Sequence, residues 1–138
     1  MNFRPMLAEE AIEMKEEAGI NLVDDGIGMT VVDDDGAVMA KVLCCNWTDT
    51  SCFVHLLIRD PKVLEGNKLA DELFDFTFNA RDCIMVLATA SSLNEGSLAL
   101  QKAYGFEEVC RIPDAFSLGE DMVISRLTRE TYLKRRVH

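Results

Sequence analysis

His55 is the one histidine inside the chain; the other, His138, is the last residue. An imidazole with an ordinary pKa near 6.5 suits deprotonation of an amine at neutral pH, directly or through water. It sits in Cys52-Phe-Val-His-Leu-Leu-Ile-Arg59, an apolar run stopped by Asp60-Pro61. Strand alternation groups His55 with Phe53 and Leu57 and sends Cys52 to the opposite face, so no Cys–His nucleophile pair is built there. No G-x-S-x-G is present either. The second stretch is Leu64-Glu-Gly-Asn-Lys-Leu69. Gly66 loosens the backbone, Asn67 tolerates a left-handed conformation, and Lys62 and Lys68 bring positive charge. Such a loop either cradles an anion on main-chain N–H groups or is a plain turn with Asn67 as N-cap. The five cysteines, Cys44, Cys45, Cys52, Cys83 and Cys110, are odd in number and lack C-x-x-C spacing. With two histidines they make no zinc pattern and read as buried, reduced thiols.

Positioning these residues requires a strand, a helix and a second strand. Leu69, Leu73, Phe76 and Ala80 recur at helical spacing, with Phe74 and Phe78 widening the face. Ile84–Ala88 is a continuous apolar run, the mark of a strand covered on both sides. A strand–helix–strand unit of this length implies a parallel pair joined by a right-handed crossover. The Leu64–Leu69 loop then lies at the carboxyl end of the first strand, where α/β proteins tend to hold ligands.

Upstream, Met1–Pro5 reads as a short strand. Leu7, Ala11, Met14 and Ala18 mark a helix terminated at Gly19. Gly28–Val32 and Ala37–Asn46 flank Asp33-Asp-Asp-Gly36, a hairpin turn, and Trp47–Ser51 is a second turn. Downstream, Glu107–Ile112 alternates weakly, Pro113–Gly119 reads as a loop, and Met122–Leu127 as a last strand. Thr128 caps a final helix that ends in Lys134-Arg135-Arg136.

The chain has 138 residues, 49% of them apolar, enough for one domain, 1–138, with its own core. No segment approaches the roughly 20 apolar residues of a membrane span. The acidic N-terminus does not resemble a secretory signal, so a cytoplasmic location is expected. A net charge of −10 argues against a nucleic-acid partner. The acids at Asp24-Asp25, Asp33–Asp35 and Glu120-Asp121 are either solvated turns or an acidic rim for a cationic amine.

The run Asn94-Glu-Gly-Ser97-Leu-Ala-Leu-Gln101-Lys102-Ala-Tyr104-Gly105-Phe106 resembles the closing motif of the GNAT family of N-acetyltransferases: an Asn, a short helix, then Gly-Phe. Ile58-Arg59-Asp60-Pro61 resembles the end of that family's fourth strand, which leads into its pyrophosphate loop. The resemblance spans most of the chain, in order. It implies an α/β (α+β) fold with a mixed, mostly antiparallel sheet, a central parallel strand pair and flanking helices. It also implies acetyl-CoA as the bound acyl donor and a small-molecule or protein amine as acceptor, with a homodimer or another protein partner left open; the two histidines and the cysteine spacing leave no metal expected. Ile58, Arg59, Asp60, Leu64, Glu65, Gly66, Asn67, Lys68 and Leu69 would hold the cofactor together with Asn94 and Lys102. His55 would be the base and Tyr104 the acid.

The match has departures. In the family's Arg/Gln-x-x-Gly-x-Gly/Ala loop, Leu64 stands at the Arg/Gln position, Asn67 at the first Gly and Leu69 at the Gly/Ala, with Gly66 one residue early. The family's usual tyrosine position is Gln101; Tyr104, three residues on, is either a substitute acid or a packing residue beside Gly105. One N-terminal helix stands where many members have two, which leaves Ile20–Ile27 to shape the acceptor pocket. Two readings follow. One is an N-acetyltransferase working by direct attack of an amine on the thioester. The other is an inactive GNAT-like protein used for protein binding, similar to small GNAT-like proteins of tailed phages, such as a virion or assembly protein; its location would be the host cytoplasm or the virion.

Overall fold

The computed structural model describes residues 1–18 and 26–136. In chain order the elements are β1 (Asn2–Pro5), α1 (Ala8–Ala18), β2 (Ile27–Val32), β3 (Val38–Cys45) and β4 (Ser51–Ile58). A 3-10 turn at Pro61–Leu64 leads to α2 (Lys68–Ala80), β5 (Met85–Ser91) and α3 (Glu95–Ala103). The chain ends with β6 (Glu107–Ser117), β7 (Glu120–Thr128) and α4 (Arg129–Arg136). The strands form one seven-stranded sheet in the order β1-β2-β3-β4-β5-β7-β6. Every neighbouring pair is antiparallel except β4–β5, which is parallel. The mixed, mostly antiparallel sheet with a central parallel pair is therefore the observed architecture.

Local chemistry explains most of the elements. At the β2–β3 turn the Asp33 carboxylate accepts the N–H groups of Asp35 and Ala37, both at 2.9 Å, and Gly36 takes φ +85°. α1 is pinned to β1 by Glu10, which accepts both guanidinium nitrogens of Arg4 at 2.6 and 3.0 Å and the Leu7 N–H at 3.0 Å. Those charge-assisted bonds hold the Glu10 carboxyl down to about 2. α2 buries Leu69, Ala70, Leu73, Phe74, Thr77 and Phe78. Its apolar stripe is thus turned from the expected one: Phe76 is half-buried and Ala80 exposed. Phe74 is the hub of the core, with ring centroids 5.7 Å from Tyr104, 5.8 Å from Phe106 and 5.7 Å from Tyr132.

Two further expectations are corrected. The segment expected to loop from Pro113 is strand through Ser117, and only Leu118-Gly119 makes the turn. Proline is tolerated because β6 is the sheet's edge, and the register shifts between Ile112 and Ser117 to absorb it. Cys44, Cys45, Cys52 and Cys83 are buried free thiols, whereas Cys110 is exposed on β6. The Ile20–Ile27 segment assigned to the acceptor pocket lies, up to residue 25, outside the described residues.

Candidate functional site

The site begins where the parallel pair ends. β4 and β5 are partners only from Ser51↔Met85 to Phe53↔Leu87. Past that point β4 stays with β3 as far as Ile58↔Ala40, and β5 stays with β7 as far as Ser91↔Met122. The two halves of the sheet diverge, leaving a gap between Val54–Ile58 and Ala88–Ser91. Backbone phase can be read from the flanks. Arg59 N–H donates to Met39 O at 2.8 Å on the β3 side, while Thr50 O accepts from Met85 N–H at 3.1 Å on the β5 side. Strand alternation then aims the N–H and C=O groups of Leu56 and Ile58 into the gap, together with the C=O of Val54, whose N–H closes the last parallel pair at Leu87. Inward-facing main-chain groups without a strand partner call for a ligand or water to satisfy them.

A cavity of ≈ 1260 Å³ occupies the gap. Val54, Leu56, Ile58 and Leu64 line one wall and Ala88, Thr89, Ala90 and Ser91 the other, joined by Asn94, Gly96, Ser97, Ala99, Leu100, Gln101 and Tyr104 from the α3 segment and by Phe74 and Phe106. The small Ala88 and Ala90 side chains keep the slot wide, both being buried on the face shared with Val86.

Beyond Leu64, which lines the slot, the chain runs through Glu65–Asn67 into the start of α2. Asp60 caps the 3-10 turn, its carboxylate accepting Lys62 N–H at 3.0 Å. Gly66, not Asn67, takes the left-handed conformation, at φ +68°; Asn67 sits at φ −108° and makes no side-chain cap. A residue with a Cβ resists that conformation, so the glycine one position early takes it. Leu69, expected to contact the cofactor, turns its side chain into a core cluster with Val31, Met39, Ala40 and Val63. That leaves its N–H outside. Among the described residues, the N–H groups from Gly66 to Ala70 make no hydrogen bond within the chain, the first being Asp71 N–H to Asn67 O. They form a positive, donor-rich helix start.

His55 lines the cavity, and burial lowers its pKa from the ordinary 6.5, so it stands as the neutral base at neutral pH. Tyr104 lines it too; burial raises its pKa above 10, partly offset by the Arg135 guanidinium, so its hydroxyl keeps its proton. Its ring packs edge-on against Phe74, so it is at once a cavity and a core residue. Asn94 caps α3, accepting Ser97 N–H at 3.0 Å through its side-chain oxygen. Gln101 Nε2 donates to Ser97 Oγ at 3.4 Å, but its Oε1 is buried without a partner. Of the residues expected to bind cofactor, Ile58, Leu64 and Asn94 reach the cavity wall; Arg59, Asp60, Glu65, Gly66, Asn67, Lys68, Leu69 and Lys102 do not line it. Arg59 instead pairs with Glu17 of α1, Lys68 Nζ stands 5.9 Å from the Phe3 ring centroid, and Lys102 is exposed. The sequence reading missed Thr89, Ser91 and Phe116, which also line the cavity. The Ala-Thr-Ala-Ser run of small residues at the end of β5 was the available signal for a widened slot; Phe116 was hidden in the presumed loop. Among the described residues, no group of three or more His, Cys, Asp or Glu side chains could hold a metal ion.

No protein-family model matches this sequence, and no curated protein matches it. Solved structures do match by shape. The spermidine/spermine N-acetyltransferase SpeG from Vibrio cholerae, in complex with manganese ions, aligns with a TM-score of 0.71 at 14% identity, covering 97% of this chain and 95% of that one. The spermidine N-acetyltransferase of the same organism in complex with CoA and spermine aligns at 0.70 and 15% identity over 91% and 77%. The F149A mutant of SpeG gives 0.70 at 15% over 93% and 79%. The fold of this chain is that of the GNAT-type N-acetyltransferases.

Proposed function

We propose that the protein is an acetyl-CoA-dependent N-acetyltransferase that passes the acetyl group to an amine by direct attack. The observation that carries this reading is the slot between β4 and β5, edged by main-chain groups without a strand partner and walled by Leu64, from which the chain leads into the donor-rich start of α2. An extended ligand with amides along its length and a pyrophosphate at one end satisfies both features. The loop's departures from the glycine pattern do not block it, because Leu69 turns inward and leaves its N–H available. Similarity in fold to an N-acetyltransferase that holds CoA and spermine adds support.

In this reading acetyl-CoA supplies the activated acyl group. The Gly66–Ala70 N–H groups bind its phosphates, and the inward main chain of Val54, Leu56 and Ile58 lines up its arm. An N–H from the same strand offers a hydrogen bond where negative charge builds on the acyl oxygen. Neutral His55 takes the proton of the attacking amine, and Tyr104, kept protonated by burial, gives one to the departing thiolate. Asn94 stands beside the arm through the amide group its cap does not use. The acceptor is an amine that reaches His55.

A second reading rests on Gln101: lacking an acidic proton at the family's tyrosine position, the fold would serve binding alone. Titration calorimetry and thermal shift with CoA and acetyl-CoA, followed by thiol release with a panel of amines, separate the two. Binding with turnover supports the enzyme. Binding without turnover on any amine leaves the fold as a ligand-binding module, and no stabilisation at millimolar CoA removes the coenzyme reading altogether.

A further inference from the structure

β6 is one of the two outer edges of the sheet, paired only with β7, and every one of its residues is exposed. Edge strands present free main-chain groups, and the charges, proline and bulge on β6 reject every strand that does not match them. The pattern of side chains on β6 says which strand does. Pro113 lacks an N–H and Asp114 takes φ +57°, so the pairable stretch runs from the Gly105-Phe106 corner to Ile112, that is, Glu107–Ile112. Glu108 and Arg111 stand opposite Ser125 and Val123 and share one face, whereas Glu107, Cys110 and Ile112 stand opposite Arg126, Ile124 and Met122 and share the other. Val109 is the extra residue of a bulge between Glu108 and Cys110.

Because of that bulge, one register of self-pairing keeps every face in step. With a two-fold axis between Val109 and Cys110, Glu107 meets Ile112, Glu108 meets Arg111 and Val109 meets Cys110 of the second copy. Other axes fail. An axis at Cys110 sets Glu108 against Ile112 on the wrong face. An axis at Arg111 sets that cation against itself and Glu108 against Asp114. In the matched register the Glu108–Arg111 ion pair within each strand, 2.7 Å long, becomes a four-charge cluster across the axis. Val109 and Ile112, 53% and 44% exposed, leave water at the same time.

We propose that the protein forms a two-fold homodimer in which Glu107–Ile112 of β6 pairs antiparallel with the same segment of a second copy, joining two seven-stranded sheets edge to edge. This assignment is independent of whether the slot binds acetyl-CoA.

Sedimentation equilibrium of the full chain tests it: a species of twice the 15.4 kDa chain mass is expected at micromolar concentration. Arg111→Glu and Glu108→Arg, each placing like charges in register, should raise the dimer dissociation constant by at least about 100-fold. The double variant Glu108→Arg/Arg111→Glu restores opposite charges and should restore the dimer. Separately, Val109→Cys sets a thiol opposite native Cys110 and should give a reducible covalent dimer on mild oxidation, lost again when Cys110→Ser is added. A chain that stays monomeric at hundreds of micromolar overturns the proposal. So does a dimer unmoved by the single charge changes, or one the double variant fails to rescue.

Discussion

Two of the places where the sheet leaves its main chain unpaired, the β4–β5 gap and the β6 edge, are opposites. Between β4 and β5 the free groups of Leu56 and Ile58 and the Val54 carbonyl lie inside the molecule, walled by α2 and α3, and no charged side chain stands among the described residues lining the cavity. Along β6 they lie in water, amid Glu107, Glu108, Arg111 and Asp114, all exposed. Inside, an unpaired amide is costly, so the gap favours any long ligand that supplies hydrogen bonds without bulk. Outside, water already satisfies the backbone. Only a strand with matched charges and apolar contacts displaces it. Unpaired backbone alone therefore does not define a site; its dielectric surroundings decide what binds.

The comparison can be broken most forcefully at His55. His55→Ala should lower kcat/KM by about 10²- to 10⁴-fold while CoA affinity, by calorimetry, stays put. Because burial lowers the His55 pKa, the acid limb of the wild-type pH profile should fall below pH 6.5, and the variant should lack that limb. An unchanged rate would take His55 out of the mechanism. Next in size is packing. Phe74→Ala, in the lining of the gap, should cost about 3–5 kcal/mol in urea unfolding. Val109→Ala at the edge should change the stability of the monomer by no more than about 0.5 kcal/mol, and equal costs would erase the contrast.

A smaller effect comes from the orphaned Gln101 Oε1. Gln101→Leu should stabilise the free protein by about 1 kcal/mol, since it removes a buried acceptor without a partner. It should also weaken CoA binding by about tenfold if the ligand supplies that partner. Destabilisation with unaltered affinity would place Gln101 in packing instead.

The acid stability of α1 makes a control, because it touches neither region. With the Glu10 pKa held at about 2 against an unfolded value of 4.5, its contribution is full above pH 4.5 and fades as pH falls toward 2. Glu10→Gln should flatten that part of the thermal-melting profile and cost about 2 kcal/mol at pH 7. A profile identical to wild type would mean the Arg4–Glu10 pair is not formed in solution.

What could be read early was local. The Asp-Gly turn at Gly36, the Asn94 cap of α3 and the face shared by His55 and Phe53 each depend on a few adjacent residues. The crossover from β4 through α2 to β5 followed from element lengths. The finer picture of the loop was not legible in the same way. Nothing between Leu64 and Leu69 says that Leu69 will dive beneath β2 and β3, because the cavity that receives Leu69 is built by Val31, Met39 and Ala40, far off in the chain. Pro113 suggested a loop for a sound local reason, and edge position overrode it.

The amino-acid order by itself determined the helices, the strands apart from the second half of β6, their succession and the presence of a single titratable imidazole on the central strand. Only the tertiary structure decided where the sheet opens. β4 and β5 each have apolar residues fit to continue pairing, and they part because each holds its outer neighbour more extensively than it holds the other. Strand partnership is a competition among segments distant in sequence, so its outcome is written in the assembled sheet and not in any one stretch of chain.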